Sequence, residues 1–227
     1  MKKAFAKVWE TDDLLTSFDG VSLWRPWNVD PSWKTQSGQA WFHIDQHPIS
    51  KPGKQCIQGL INLLPTSKEI GGNVVIPKSH NFFKDIPEEY KERVERLPLD
   101  IDHFRFPHDD PKLSSEPAVM AHMEPGDMLL WDSRTIHCSS SGSSLPEGTN
   151  DLIRAASLIC MMPKELSSKE ILEKRIHAAE NLVSTTNWTN DFRNADEFPI
   201  VLEAENRDQY KWPKKPNLSE YQKELIA

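Results

Sequence analysis

Between residues 39 and 163 the apolar residues come in short runs broken by Pro, Gly and polar turns, and this pattern most restricts what the chain can fold into. The runs cover 39–44, 55–64, 72–76, 118–123, 127–131 and 152–162. Each has strand length and is bounded by turn formers, and none carries a sustained helical period. No strand–helix alternation recurs and no G-x-G-x-x-G is present, which argues against a doubly wound parallel sheet. The pattern predicts a mainly β protein with flanking helices, built on a double-stranded β-helix of the jelly-roll or cupin-like kind.

Outside these runs the first forty residues set Trp24, Pro26, Trp27, Asn28, Pro31, Trp33 and Gly38 close together, which predicts irregular structure instead of a regular helix. Residues 86–97 carry Tyr90, Val94 and Leu97 at helical spacing and predict a surface helix. Residues 100–116 read as a polar connection holding His103 and His108, and the Ser- and Gly-rich stretch 138–150 reads as a loop. After Pro163, Ile171, Leu172, Ile176 and Leu182 predict a helix with Ser167 or Ser168 as its N-cap. The last forty residues are polar and Pro-rich and read as a tail. No internal repeat is present. The expected organisation is one domain over 1–227, with its core at about 39–163 and a helical and irregular extension over 164–227.

Composition narrows the function classes. Hydrophobic residues make up 37% of the chain, and eight Trp and nine Phe supply the bulk that a packed core needs. The formal net charge is −7, with no long Lys/Arg stripe, so nucleic acid is not an expected partner. No apolar stretch reaches the length of a membrane span and the first residues lack a signal-peptide pattern, so the expected location is cytoplasmic. Cys56, Cys138 and Cys160 are odd in number and lack C-x-x-C spacing, the pattern of reduced thiols. No oligomeric state follows from the sequence.

Chemistry concentrates in WFHIDQHP, residues 41–48. His43 and Asp45 stand two apart on an expected strand, so both side chains share one face. Downstream, a turn at Gly126, an apolar run and then His137 supply a second imidazole. Two His and one carboxylate on one face, with further coordination positions open, form the facial triad of non-haem Fe(II) oxygenases. An isolated H-x-D is common, and its bland reading is a pair of ordinary strand residues.

Three blocks in order add weight to the motif: WFHIDQHP, GGNVVIPKSH over 71–80, and GDMLLWDSRTIHCSSSG over 126–142. Together they resemble the phytanoyl-CoA dioxygenase (PhyH) family of Fe(II)- and 2-oxoglutarate-dependent oxygenases. The resemblance implies iron at His43, Asp45 and His137, and 2-oxoglutarate held at its distal carboxylate by Arg154. That residue lies seventeen positions past His137, where many members place their Arg ten or eleven past it; an insertion in the Ser/Gly stretch accounts for the excess. A guanidinium suits the role because it pairs bidentately and stays charged. Ser139 matches a position whose hydroxyl helps hold the same carboxylate, and Gln58 stands near a position that contacts 2-oxoglutarate. Lys78 occupies a place where the family usually has Gly, and His80 reads as structural.

The remaining candidates carry plainer readings. His47 is expected at a pocket rim or on the surface, because Pro48 ends the strand. Arg134 fits an acidic substrate or an ion pair equally well. Trp24, Trp27, Trp33 and Trp41 read as packing, and His103, His108, His122 and His177 lack ligand spacing. The expected activity is a dioxygenase that uses Fe(II), 2-oxoglutarate and O2 to hydroxylate a small-molecule substrate, releasing succinate and CO2. Its rivals are desaturation or protein hydroxylation on the same scaffold, and a binding or regulatory protein that has lost turnover.

Overall fold

The computed structural model describes residues 1–34, 41–191 and 215–227. Among them ten strands form: β1 (Leu14–Thr16), β2 (Val21–Trp24), β3 (His43–Asp45), β4 (Ile57–Asn62), β5 (Gly71–Val75), β6 (His103–Arg105), β7 (Val119–Met120), β8 (Met128–Asp132), β9 (His137–Ser141) and β10 (Arg154–Pro163). The helices are α1 (Lys2–Trp9), α2 (Ile86–Glu89), α3 (Lys91–Glu95), α4 (Lys169–Asn181) and α5 (Glu220–Glu224), with short 3-10 turns between elements. The chain divides into two compact units, Val21–Leu158 and a second made of Met1–Gly20 with Ile159–Ala227.

The unit Val21–Leu158 holds two antiparallel sheets. One runs β2, β10, β4, β8 and the other β6, β3, β9, β5, β7. From β3 to β5, and again from β8 to β10, the chain passes alternately between the two sheets, the winding of a double-stranded β-helix. Strand alternation then sorts the side chains. Phe42, Ile44, Val74, Ile76, Phe104, Phe106 and Cys138 turn to one side of the second sheet and pack with Phe83, Ile86 and Val94 from the segment that carries α2 and α3. His43, Asp45 and His137 are left on the opposite face. On the first sheet Leu60, Met123 and Ala156 form a second cluster with Leu129, Trp131 and Leu158 packed against it.

Three sequence expectations change here. The Ser-rich stretch begins as strand β9, whose residues from His137 to Ser141 pair with β5, from Val75 to Gly71. Hydrogen bonding to β5 on one edge and to His43 of β3 on the other outweighs the weak strand preference of serine. The expected helix over 86–97 breaks at Tyr90 into α2 and α3, where the ring packs edge-on against Phe104 and Phe106 and the hydroxyl donates to Asp110. The expected connection over 100–116 contains β6, paired with β3 so that Asp45 stands opposite His103 and His43 opposite Arg105.

The second unit starts with α1, placed where irregular structure was expected, with Phe5 buried beneath it. β1 pairs with the end of β10, Leu14 to Thr16 opposite Pro163 to Met161. α4 matches its expected position, and its N-cap Ser168 accepts a hydrogen bond from the Ile171 amide. Buried Arg175 of α4 donates to the carbonyls of Thr16 at 2.6 Å, Ile226 at 2.7 Å, Leu225 at 3.2 Å and Thr189 at 3.3 Å. It thereby ties β1 and the end of the chain to the helix. Most of the expected tail, residues 192–214, lies outside the described residues. No helix among the described residues is long and apolar enough to cross a membrane.

Candidate metal centre

β3 and β9 are adjacent, with His43 directly opposite His137, and this pairing brings residues 94 positions apart in the chain to one place. One donor atom from each of His43, Asp45 and His137 lies within 4.8 Å of the others. Both imidazoles are buried. Each uses Nδ1 on a backbone carbonyl two residues back, Trp41 O at 2.9 Å for His43 and Thr135 O at 2.8 Å for His137. A carbonyl only accepts, so Nδ1 carries the proton and Nε2 keeps its lone pair. Those Nε2 atoms lie 3.5 Å and 3.3 Å from the Asp45 carboxylate. Two imidazole lone pairs and a carboxylate converging with their tautomers fixed from behind are what a divalent cation needs.

Further contacts steady this set. Trp41 stacks on His43 with ring centres 4.8 Å apart, and its indole N–H donates to Ser139 O. Gln58 on β4 donates to Asp45 Oδ2 at 2.9 Å. His103, set aside in the sequence for want of ligand spacing, puts Nδ1 3.5 Å from Asp45 Oδ1. Burial opposes the Asp45 charge, and in the metal-free site the neighbouring imidazoles of His43, His103 and His137, when protonated, hold the carboxyl well below the usual range. The signal for His103 was present: His103-Phe104-Arg105-Phe106 alternates polar and apolar with the period of a strand.

Arg154 opens β10, only 1% exposed, with its guanidinium 4.4 Å above the Trp24 ring and a long contact of 3.4 Å to Ser22 Oγ. Its Nε has no hydrogen-bond partner, and no carboxylate among the described residues pairs with it. Burial lowers its pKa to about 10. Arg154 shares a strand face with Ala156, and Gln58 shares one with Leu60; both apolar residues belong to the cluster that Trp131 joins. Trp131 stands opposite Gln58 in register and lies 5.4 Å from the His137 ring. Trp131 Nε1 and Gln58 Oε1 are buried without partners, as is Asn73 Oδ1, which stands opposite Ser139 on β5 and β9. Buried polar atoms left unpaired in a native fold call for an explanation, and a guanidinium without a carboxylate partner, with an indole N–H on the same sheet face, suits a carboxylate-bearing small molecule. The residues therefore fit both a divalent metal and 2-oxoglutarate.

The other singled-out residues fall elsewhere. His47 is fully buried, a correction to its expected place at the rim, because its Nδ1 accepts from the amides of Ile49 and Ser50 and closes the turn after β3. Arg134 forms a two-pronged pair with Asp132, Nε to Oδ1 at 2.8 Å and Nη2 to Oδ2 at 2.7 Å. Lys78 holds a left-handed backbone with φ 62°, so the turn keeps the conformation that glycine favours despite the side chain. His108, His122 and His177 are exposed.

A two-sheet β-helix with a His-Asp-His cluster on one inner strand face defines a candidate mononuclear metalloenzyme. Residues 24–145 match the family model for phytanoyl-CoA dioxygenase (PhyH), just over half of the chain, and the chain belongs to that family. The chain is 34% identical over 191 residues to Ava biosynthesis cluster protein O of Aspergillus versicolor, covering 81% of this chain and 58% of the relative. It thus spans less than two thirds of that relative's length. Among solved structures it is similar to EvdMO1, at TM-score 0.40 and 17% identity, covering 70% of this chain and 29% of that one. It is also similar to AviO1 from Streptomyces viridochromogenes Tue57, at TM-score 0.38 and 16% identity, covering 63% of this chain and 49% of that one.

Proposed function

We propose that this chain is an Fe(II)- and 2-oxoglutarate-dependent dioxygenase that hydroxylates a small-molecule substrate, working as one oxygenase domain. The observation that carries the reading is the triad of His43, Asp45 and His137, with both Nε2 lone pairs turned toward one carboxylate. These three residues would hold the iron. The metal would bind and activate O2, the oxidant whose two oxygen atoms end in succinate and in the hydroxyl of the second substrate as 2-oxoglutarate loses CO2.

The protein's own part is binding, orientation and exclusion of water. Arg154 meets the distal carboxylate as a dry, preformed cation, with Trp24 covering its guanidinium. Water competes poorly there, so the charge-assisted pair is strong. Ser139, two residues past His137 on the same strand face, supplies a hydroxyl to that carboxylate. Gln58 steadies Asp45 through its amide and stands beside the co-substrate. Trp41 fixes the His43 ring by stacking. Arg134, neutralised by Asp132, is not the carboxylate partner.

A small metabolite is the favoured substrate, and the fungal relative named for a biosynthesis cluster supports it. The test is anaerobic loading of purified protein with Fe(II), then measurement of succinate from 2-oxoglutarate in air against a panel of metabolites. Succinate formed stoichiometrically with a product 16 mass units heavier supports the reading. Protein that holds one iron and 2-oxoglutarate but forms no succinate with any substrate would indicate a binding role.

A further inference from the structure

We propose that His103 is a positioning residue that holds the Asp45 carboxylate in the orientation required for metal binding, a role resting on the metal reading above. A carboxylate ligand attached through one methylene turns freely unless its oxygens are held. Gln58 holds Oδ2 of Asp45 from β4. On the other side His103 presents Nδ1 to Oδ1 at 3.5 Å, and its ring lies 4.5 Å from the His43 ring, tilted by 38°. The two grips come from different sheets, β4 in one and β6 in the other, so together they set the rotation of the carboxylate.

β6 is anchored well enough to hold that position. Phe104 and Phe106 are buried in the cluster behind the sheet, the Phe106 amide donates to Phe42 O at 2.9 Å, and Arg93 donates to Arg105 O at 2.7 Å. Antiparallel register sets His103 directly opposite Asp45, so the imidazole reaches the carboxylate across neighbouring strands. The His103 side chain is 47% exposed and that of Asp45 24% exposed. Removing the imidazole therefore opens the Oδ1 side of the carboxylate to water without cutting into the core. The donors that converge as a metal-binding group are those of His43, Asp45 and His137, which leaves His103 acting through Asp45.

The test uses Co(II) as a redox-inert probe on the full chain, with calorimetric titration, the visible Co(II) absorption bands and thermal unfolding of the metal-free protein. His103→Ala is expected to weaken Co(II) binding about tenfold, the lower end for an outer partner of a ligand. Its metal-free melting temperature and the shape of its Co(II) bands should match the wild type. His103→Asn, whose amide also donates, should recover most of the lost affinity, which a purely space-filling role does not predict. Unchanged Co(II) affinity in His103→Ala overturns the inference. So does a change in the Co(II) bands that marks loss of a nitrogen ligand, because His103 would then bind metal directly. A wild-type protein that takes up no Co(II) fails at the metal reading itself, so the two failures are told apart.

Discussion

Replacing Arg154 by Met should change stability and co-substrate binding in opposite directions. The guanidinium is only 1% exposed, and no carboxylate among the described residues pairs with it. Burial lowers its pKa from the ordinary guanidinium value to about 10, which corresponds to a cost of roughly 3 kcal/mol for keeping the charge in place. That cost persists at every pH below about 10 and is relieved only as pH rises through that value. Met keeps an unbranched apolar stem against Trp24 but gives up the cation–ring contact, about 1–2 kcal/mol for a desolvated pair, and a long contact to Ser22. The protein without 2-oxoglutarate should therefore gain about 1–2 kcal/mol, or roughly 2–8 °C in Tm for a chain of this size. Binding of 2-oxoglutarate should weaken by roughly 2–5 kcal/mol, about thirtyfold to several thousandfold in Kd. Calorimetric titration of 2-oxoglutarate into Mn(II)-loaded protein reads the second effect, and thermal unfolding with and without the ligand reads both. A Met variant that binds 2-oxoglutarate like the wild type would place the distal carboxylate away from Arg154, and one destabilised without ligand would show that the buried charge is already compensated in the empty protein.

Two further substitutions test the framework that carries the site. A Cβ at Gly142 would stand 1.8 Å from the Glu69 carbonyl oxygen, so Gly142→Ala must push β9 and the turn before β5 apart. A loss of about 3 kcal/mol in denaturant unfolding is expected, and an unperturbed midpoint would contradict the close approach. Lys78→Gly removes a left-handed strain of about 1–2 kcal/mol against an added chain-entropy cost of about 0.5–1 kcal/mol and an exposed pair with Glu116; its Tm should rise slightly, and a fall would show that the lysine side chain contributes more than its backbone costs.

The two-sheet core and the convergence of His43, Asp45 and His137 were legible because apolar runs bracket these residues. Ile44 beside His43, and the stretch 128–131 ahead of His137, mark strands in which i and i+2 share a face. β9 was hidden because its inward residues after His137 are serines and its buried apolar residue is Cys138 alone; its strand state comes from β3 and β5 on either side. β6 was hidden in a polar, Pro-containing stretch although His103-Phe104-Arg105-Phe106 has the alternation of a strand, and with it went the proximity of His103 to Asp45. α1 also leaves a trace, since Phe5, Val8 and Trp9 recur at helical spacing before the turn-rich segment that begins near Trp24. His47 escaped because a turn folding back on its own imidazole leaves no spacing signature.

In the proposed function, His43, Asp45 and His137 together hold one divalent metal. The most direct measurement of this claim is metal content after anaerobic loading with Fe(II) and desalting, for the wild type and for His43→Ala, Asp45→Ala and His137→Ala, with circular dichroism to check folding. The wild type should retain one iron per chain, and each variant should keep its fold and retain almost none, because each loses one of the three proposed ligands. Stoichiometric iron retained by all three folded variants would contradict the claim.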